Sequence, residues 1–171
     1  MTMDIHIIKP DEEERVVQLI NKTNQFNVTT KRYSAEEVQR YINDNSSDIF
    51  TVKMADKYGE QGLVAVVILT YANNIADIDT FLMSCRVMGR NAENEIMARL
   101  KEYLKNRGVE KVTAKYVKTA KNTPVSELFD KLGFTYIPKG ISSDENTKHY
   151  EADVEMLPDV TDIFGKGNIE L

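Results

Sequence analysis

The sequence predicts one α/β domain with a central mixed β-sheet and helices on both of its faces. The chain has 171 residues, 42% of them hydrophobic, which is enough to bury the core of one ordinary domain. Segments with helical periodicity alternate with segments of strand character. Their order is two helices, three strands, a helix, a strand, a helix and two strands, which requires both parallel and antiparallel strand neighbours.

The first part of the chain contains the two predicted helices and three predicted strands. Pro10 suits the first turn of a helix that covers about residues 10–23. Ser34 and Glu37 have the spacing of a capping box and begin a second, short helix. The second strand is apolar on both faces, as is expected at the centre of a sheet. The three strands are predicted at residues 49–56, 62–70 and 75–84.

The second part of the chain is predicted to continue the same domain to residue 156. A long helix begins at about residue 91 and ends at Gly108. A strand over 111–117, a helix between Thr123 and Gly133, and strands over 134–137 and 148–156 complete the order. Residues 157–171 form a C-terminal extension with isolated apolar residues, which could dock on a partner or on the domain's own surface, or fray.

Composition excludes several classes of function. The net charge of −5 argues against general nucleic-acid binding, and the single cysteine cannot form an internal disulfide. No apolar run approaches the roughly 20 residues of a membrane span, and the N-terminus does not resemble a secretory signal, so a cytoplasmic location is expected. Residues 86–121 nevertheless carry ten basic and four acidic side chains, which predicts one basic surface for an anionic partner, unless these charges only cover a solvated helix.

A candidate phosphate loop lies between the third strand and the long helix. A strand that leads through a glycine turn into a helix directs free backbone N–H groups and a partial positive charge at one point. The residues follow the pattern Arg86-x-x-Gly89-x-Asn91. A tight turn with two solvated arginines is the alternative interpretation.

This loop and the order of elements resemble the GNAT superfamily of acyl-CoA-dependent N-acetyltransferases, whose pyrophosphate loop is Arg/Gln-x-x-Gly-x-Gly/Ala. Asn91 departs from that pattern, and Arg90 rather than Arg86 could meet the phosphates. The resemblance implies a GNAT-like acyl-CoA N-acyltransferase fold that binds coenzyme A, acyl-CoA or the phosphopantetheine of a carrier protein. The implied cofactor-binding residues are Leu82, Met83, Ser84, Cys85, Arg86, Val87, Met88, Gly89, Arg90, Asn91, Asn122 and Phe129.

Longer segments are similar to the C-terminal domain of FkbH-like proteins, namely residues 17–33, 78–90 and 121–125 together with 132–134. In that family a GNAT-like domain normally follows a phosphatase-like domain, and the pair is associated with loading a glyceryl unit onto an acyl carrier protein in polyketide biosynthesis. The resemblance implies two partners, an acyl carrier protein and a separate phosphatase-like FkbH protein. A phosphatase activity of this chain is rejected, because Asp77-x-Asp79 is one residue short of the required motif and stands in the wrong context.

Two residues are candidates for the chemistry of acyl transfer. Asp79 would share one face of its strand with Phe81, Met83 and Cys85, where desolvation could make it a general base, unless it is merely an exposed residue near the strand start. The Cys85 thiol beside a helix N-terminus could accept an acyl group covalently, or it is a small buried apolar residue. The two histidines do not suggest a metal site.

Three further features follow from the resemblance. Asn122 either touches the cofactor or caps the next helix. Phe129 stands where the superfamily often has a tyrosine that protonates the thiolate, and phenylalanine cannot do so. The polar segment over residues 21–33 corresponds to the loop where GNAT proteins bind their acceptor. The expected function is therefore acyl transfer to an unknown acceptor; a non-catalytic module that recognises the carrier arm is the alternative.

Overall fold

A computed structural model of the chain describes residues 1–138, 144–161 and 164–170. Its strands form one mixed sheet of eight in the order β6-β7-β5-β4-β3-β2-β1-β8. The strands are β1 (Thr2–Ile7), β2 (Ser47–Asp56), β3 (Gly59–Ala72), β4 (Ile75–Met83), β5 (Lys111–Val117), β6 (Thr135–Ile137), β7 (Thr147–Asp153) and β8 (Gly165–Glu170). Strands β2 to β4 form an antiparallel meander, and β1 pairs antiparallel with β2 after the chain has formed two helices. β4 and β5 are parallel, and β7 lies antiparallel between β5 and β6.

The helices occur close to their predicted positions. They are α1 (Glu13–Lys22), α2 (Ala35–Asn43), α3 (Ala92–Asn106) and α4 (Leu128–Lys131). The predicted start at Pro10 is a 3₁₀ turn that leads into α1, and the capping box of Ser34 and Glu37 is formed in α2. The predicted helix between Thr123 and Gly133 is divided into a 3₁₀ turn, Thr123–Val125, and the short α4.

Two strands were missing from the predicted order. β1 pairs with β2, and its Met3 and Ile5 are completely buried. The alternation of apolar residues along β1 is a strand signal, so the sequence did contain this information. β8 is parallel to β1, so part of the extension over residues 157–171 lies at the edge of the domain's own sheet. Its two glycines and single isoleucine give it little strand character.

The core is divided by the sheet into two clusters. The larger cluster packs α3 and α4 against one face and includes Phe50, Phe81 and Met83. The smaller cluster packs α1 and α2 against the other face and includes Ile68 and Leu82. Helices therefore cover both faces, as the sequence predicts.

Candidate functional site

A cleft of about 830 Å³ opens at the end of β4. Its walls come from α1, the connection from α1 to α2, the turn after β4 and the segment after β5. Three of its residues are cationic: Arg15, Lys22 and Lys121. Among the described residues no aspartate, glutamate, histidine or tyrosine lines it. The cleft is thus suited to an anionic ligand.

The turn after β4 forms the floor of this cleft. The amide of Ser84 donates to the carbonyl of Val64 at 2.7 Å, and the Ser84 hydroxyl accepts from the amide of Arg86 at 3.4 Å, which fixes the 3₁₀ turn Cys85–Val87. Cys85 is exposed and lines the cleft together with Met83 and Met88. The interpretation of Cys85 as a buried apolar residue is therefore wrong.

The start of α3 follows this turn directly. Gly89 and Asn91 have φ angles of +79° and +59°, and α3 begins at Ala92. Asparagine is one of the few residues that adopt this left-handed conformation readily, so Asn91 can hold the backbone shape that a second glycine would give. In the described part of the chain, the amides of Gly89, Arg90 and Asn91 donate to no other group. They add three free donors to the positive end of the α3 dipole.

The two arginines of this loop have different surroundings. Arg90 Nη1 lies 3.9 Å from Asp56 Oδ2, on the hairpin between β2 and β3. Arg86 is exposed, and no described residue forms an ion pair or a side-chain hydrogen bond with it. The hypothesis that Arg90 replaces Arg86 at the phosphates is not favoured by this geometry, because Arg86 is the arginine with a free guanidinium group.

Four residues of the implied cofactor set have side chains that face away from the cleft. Leu82 and Val87 are completely buried, and Leu82 packs in the cluster under α1 and α2. The ring of Phe129 is 1% exposed and packs with its centroid 5.1 Å from that of Phe134 and 5.5 Å from that of Tyr150. Phe129 is thus a core residue and does not line the cleft.

Asn122 is the fourth of these residues, and its side chain is fully engaged by the protein. Its Oδ1 accepts from the amide of Thr119 and the hydroxyl of Tyr116, at 2.8 and 3.0 Å. Its Nδ2 donates to the carbonyls of Asn27 and Val117, at 3.0 and 2.8 Å. The side chain makes no capping hydrogen bond to the turn that begins at Thr123, so the interpretation of Asn122 as a helix cap is wrong. Asn122 instead joins the end of β5 to the connection between α1 and α2.

Asp79 lies outside the cleft, on the other face of β4 from Phe81 and Met83. The pairing of β3 with β4 shifts between Ile78 and Thr80, so Asp79 is the extra residue of a β-bulge and the regular alternation is interrupted there. The expectation that Asp79 shares a face with Phe81, Met83 and Cys85 is therefore wrong.

The Asp79 carboxylate is buried and holds the polar segment that precedes α2. Its Oδ1 accepts from Lys31 Nζ at 2.7 Å, and its Oδ2 accepts from the hydroxyl of Tyr33 at 2.7 Å and that of Thr80 at 3.0 Å. Burial disfavours the charge of Lys31, but the hydrogen bond and charge of Asp79 outweigh it and raise the pKa of Lys31. Burial and the bonds to Tyr41 and Asp79 raise the pKa of Tyr33. With its oxygens occupied in this way, Asp79 is an anchor for the loop and is not placed to act as a base.

A short segment of the same loop fills a gap in the sheet. β4 and β5 pair only as far as Ile78 and Ala114, and beyond this point the strands separate. Residues 26–29, called the inserted segment here, lie between them. The amide of Val28 donates to the carbonyl of Phe81 at 3.2 Å, the amide of Met83 donates to the carbonyl of Phe26 at 3.0 Å, and the amide of Val117 donates to the carbonyl of Val28 at 2.8 Å. The carbonyl of Phe81 and the amide of Met83, one of the residues implied to bind the cofactor, are thus occupied by the chain itself.

The basic character of residues 86–121 is mostly neutralised. Arg99 and Lys101 are only 3% and 8% exposed, so the expectation that all basic residues of this helix are solvated is wrong. Six of the ten basic residues have acidic partners: Arg90 with Asp56, Arg99 with Glu95, Lys101 with Asp159, Lys105 with Glu155, Arg107 with Asp48 and Lys111 with Glu151. Of the ten, only Lys121 lines the cleft; the other two cations of its lining, Arg15 and Lys22, belong to α1.

The residues of α1 in the cleft were missed by the sequence analysis, although a signal for them exists. Arg15, Leu19 and Lys22 are separated by four and three positions, so they lie on one face of a helix and interrupt its apolar stripe with two cations. In the described part of the chain, no helix is long and apolar enough to span a membrane. The same residues contain no group of three or more histidine, cysteine or carboxylate side chains that could hold a metal ion.

Comparison with solved structures identifies the fold. The chain is similar to a domain from Methanocaldococcus jannaschii, with 17% identity, 89% of this chain and 98% of that chain covered, and a TM-score of 0.68. It is similar to the ribosomal-protein-S18-alanine N-acetyltransferase of Escherichia coli (12% identity, 90% and 94% covered, TM-score 0.66). It is also similar to the spermidine N-acetyltransferase of Vibrio cholerae, solved with CoA and spermine (14% identity, 91% and 97% covered, TM-score 0.67).

The chain therefore has the fold of the GNAT acetyltransferases, which confirms the predicted fold class. No protein-family model matches the sequence, and neither does any curated protein.

Proposed function

We propose that this protein is a GNAT-type acyltransferase that binds a phosphopantetheine thioester, carried by coenzyme A or by an acyl carrier protein, in the cleft at the end of β4. The observation that carries the proposal is the position of the cleft. Three cations line it, and its lining extends along the turn after β4 as far as Met88. The next three residues, Gly89, Arg90 and Asn91, have free amides that could bind phosphate oxygens. Arg86 supplies a further unpaired cation beside these amides.

The fold supports the same ligand. One structure of similar fold, the spermidine N-acetyltransferase of Vibrio cholerae, was solved with CoA bound. The cationic cleft accounts for how a protein with a net charge of −5 would attract a polyanion. A carrier protein would present the same phosphopantetheine arm with acidic residues around it, and these would face Arg15, Lys22 and Lys121.

Cys85 is the group in the cleft that we propose as the acyl acceptor. Its thiolate would attack the carbonyl carbon of the bound thioester, and collapse of the tetrahedral intermediate would expel the carrier's thiolate. The proton lost by Cys85 would go to the departing thiol, so the exchange replaces one thioester by another and needs no separate acid of the kind that Phe129 cannot provide. A second attack, by the final acceptor on acyl-Cys85, would regenerate the free thiol.

The types of residue that line the described part of the cleft favour a second function. The described lining includes no carboxylate, histidine or tyrosine that could act as a general base for an acceptor, and Asp79 lies on the other face of β4. The chain would then be a non-catalytic module that holds the carrier arm for a separate phosphatase-like FkbH protein during loading of a glyceryl unit. Such a module would bind the arm equally well but would form no acyl-enzyme.

Calorimetry with coenzyme A and with a pantetheinylated acyl carrier protein tests the shared part of both proposals. We expect saturable binding to at least one of them, and binding to neither would reject the acyltransferase and the recognition module together. Intact-mass analysis after incubation with acetyl-CoA then separates the two, with C85S as the matched control. An acyl adduct on the wild type that is absent from C85S supports catalysis through Cys85, whereas binding without an adduct or transfer supports the recognition module.

A further inference from the structure

The gap between β4 and β5 is closed by peptide groups that a ligand could also provide. The inserted segment offers the two strands one N–H donor, from Val28, and the carbonyls of Phe26, Asn27 and Val28. These groups meet the carbonyl of Phe81, the amides of Met83 and Val117, and Nδ2 of Asn122. The three backbone bonds are of the kind by which an extended peptide-like chain adds to the free edge of a strand, and the fourth comes from the Asn122 side chain.

The cleft ends where this segment begins. Phe26 and Met83 both line the cleft, and the Phe26 ring packs on that of Phe81 with the centroids 5.6 Å apart. A linear ligand that extends from the start of α3 towards the centre of the sheet would therefore meet Phe26 first, and then the occupied backbone groups of β4.

We infer that the inserted segment is an internal competitor for the ligand's arm: it fills the gap in the free protein and is exchanged for an amide-bearing arm when the thioester carrier binds. The inference rests on the proposed function, because it takes phosphopantetheine as the arm. This arm contains two amide groups, so its N–H and C=O groups can replace bonds of the inserted segment. A carbonyl group of the arm would also accept the hydrogen bond that Asn122 Nδ2 donates to the carbonyl of Asn27 in the free protein.

The backbone beside the inserted segment indicates why the exchange is reversible. Thr30, the residue that follows the segment, has a φ of +52°. This conformation is strained for a β-branched residue, and the strain persists only while the surrounding contacts enforce it. Two of those contacts are the bond from the amide of Thr30 to Asn27 Oδ1 and the bond from the Thr29 hydroxyl to the carbonyl of Asp79, both 2.9 Å long. If the inserted segment withdraws, the strain at Thr30 is released. This release offsets part of the free energy that is lost with the two hydrogen bonds.

Two substitutions outside the cleft should shift the exchange in opposite directions. T30N places a residue that tolerates the left-handed conformation at the strained position, which stabilises the inserted state, and we expect coenzyme A to bind about three-fold more weakly. T29V removes the hydroxyl that holds the segment to Asp79 while keeping its volume, and we expect binding about three-fold tighter. T135V, a matched substitution at an exposed residue of β6, should leave the affinity unchanged. Unchanged affinities in both T30N and T29V would overturn the inference.

Hydrogen exchange of single amides, followed by NMR with and without coenzyme A, is the second measurement. In the free protein the amides of Val28, Met83 and Val117 should all be protected. On binding, Val28 should exchange at least about ten-fold faster, while Met83 and Val117 stay protected because the arm's carbonyls replace those of the segment. If the amides near the start of α3 become protected but Val28 does not change, the arm stops at Phe26; the inference fails and the proposed function stands. Absence of coenzyme A binding would overturn both.

Discussion

Asp79 and Cys85 lie six residues apart along the same stretch of chain, yet their surroundings are opposite. Asp79 is buried in the sheet, and hydrogen bonds from Lys31, Tyr33 and Thr80 occupy its carboxylate. Cys85 is exposed at the end of the strand and lines a cleft with cationic walls. A reactive type of residue near a cleft indicates a catalytic role only if its side chain is not already occupied by hydrogen bonds to the protein. The carboxylate of Asp79 is occupied in this way, whereas the thiol of Cys85 is exposed.

Substitution at Cys85 should have the largest effect on chemistry. If the thiol accepts the acyl group, C85S removes the acyl adduct and lowers acyl transfer by at least about 100-fold, because serine is a far weaker nucleophile without a neighbouring base. Release of free thiol from acetyl-CoA measures the rate, and calorimetry should show an affinity for coenzyme A within about two-fold of the wild type. Transfer at the wild-type rate in C85S would mean that the cysteine is only part of the cleft wall.

Substitution at Asp79 should affect stability and not chemistry. D79N keeps the side-chain shape but removes the charge that Lys31 and Tyr33 bind, and we expect the free energy of unfolding to fall by about 2 kcal/mol. The loss stays below that of a fully buried ion pair, because the Lys31 side chain is 40% exposed and can recover water. Urea unfolding measures the change. A D79N protein that is as stable as the wild type but inactive in thiol release would restore Asp79 as a catalytic candidate.

The cations of the cleft should contribute a smaller effect, on binding alone. K121A and K22A should each weaken coenzyme A binding about three- to five-fold, as expected for exposed charges that face a polyanion. The effect should shrink as the salt concentration rises. K148A is the control, since Lys148 is exposed and outside the cleft. An equal loss in K148A would show that the overall charge, and not the cleft, attracts the ligand.

The smallest expected effect is the dependence of stability on alkaline pH. The fold raises the pKa of both Lys31 and Tyr33, so it keeps their protons to a higher pH than the unfolded chain does. Their contribution to stability is therefore complete below about pH 10 and is lost as the pH rises towards the higher folded-state pKa values. K31M should unfold with a shallower pH dependence above pH 10 in urea titrations at a series of pH values. If the free energy of unfolding of K31M depends on pH as steeply as that of the wild type, then folding does not change the pKa of Lys31.

The fold could be predicted because its signals are local. The apolar run over 62–70, the capping box at Ser34 and the glycine at 108 each define an element with little help from the rest of the chain. The position of the phosphate loop follows from the same signals, since it needs only a strand, a turn and a helix in sequence.

The arrangement of the candidate site could not be predicted in the same way, because it depends on contacts between distant segments. One bulge in β4 moves Asp79 to the other face of the sheet, and alternation alone gives no sign of it. The inserted segment pairs with strands that are more than 50 residues away, and the packing of Phe129 depends on a partner in β7. Likewise, Lys101 and Lys105 of α3 and Arg107 just after it are paired with carboxylates from distant segments. The number of basic residues in the sequence therefore overstated the free positive charge.

An NMR titration of the ¹⁵N-labelled protein with coenzyme A tests whether the cleft at the end of β4 binds phosphopantetheine. We expect saturable chemical-shift changes at the amides of Gly89, Arg90 and Asn91 and at the cleft residues Ser84 and Cys85, together with little change at exposed residues of β6. Saturable changes confined to another surface, such as the smaller cavity beside Tyr33 and Arg40, or no changes at any amide, would contradict the assignment of the cleft as the phosphopantetheine site.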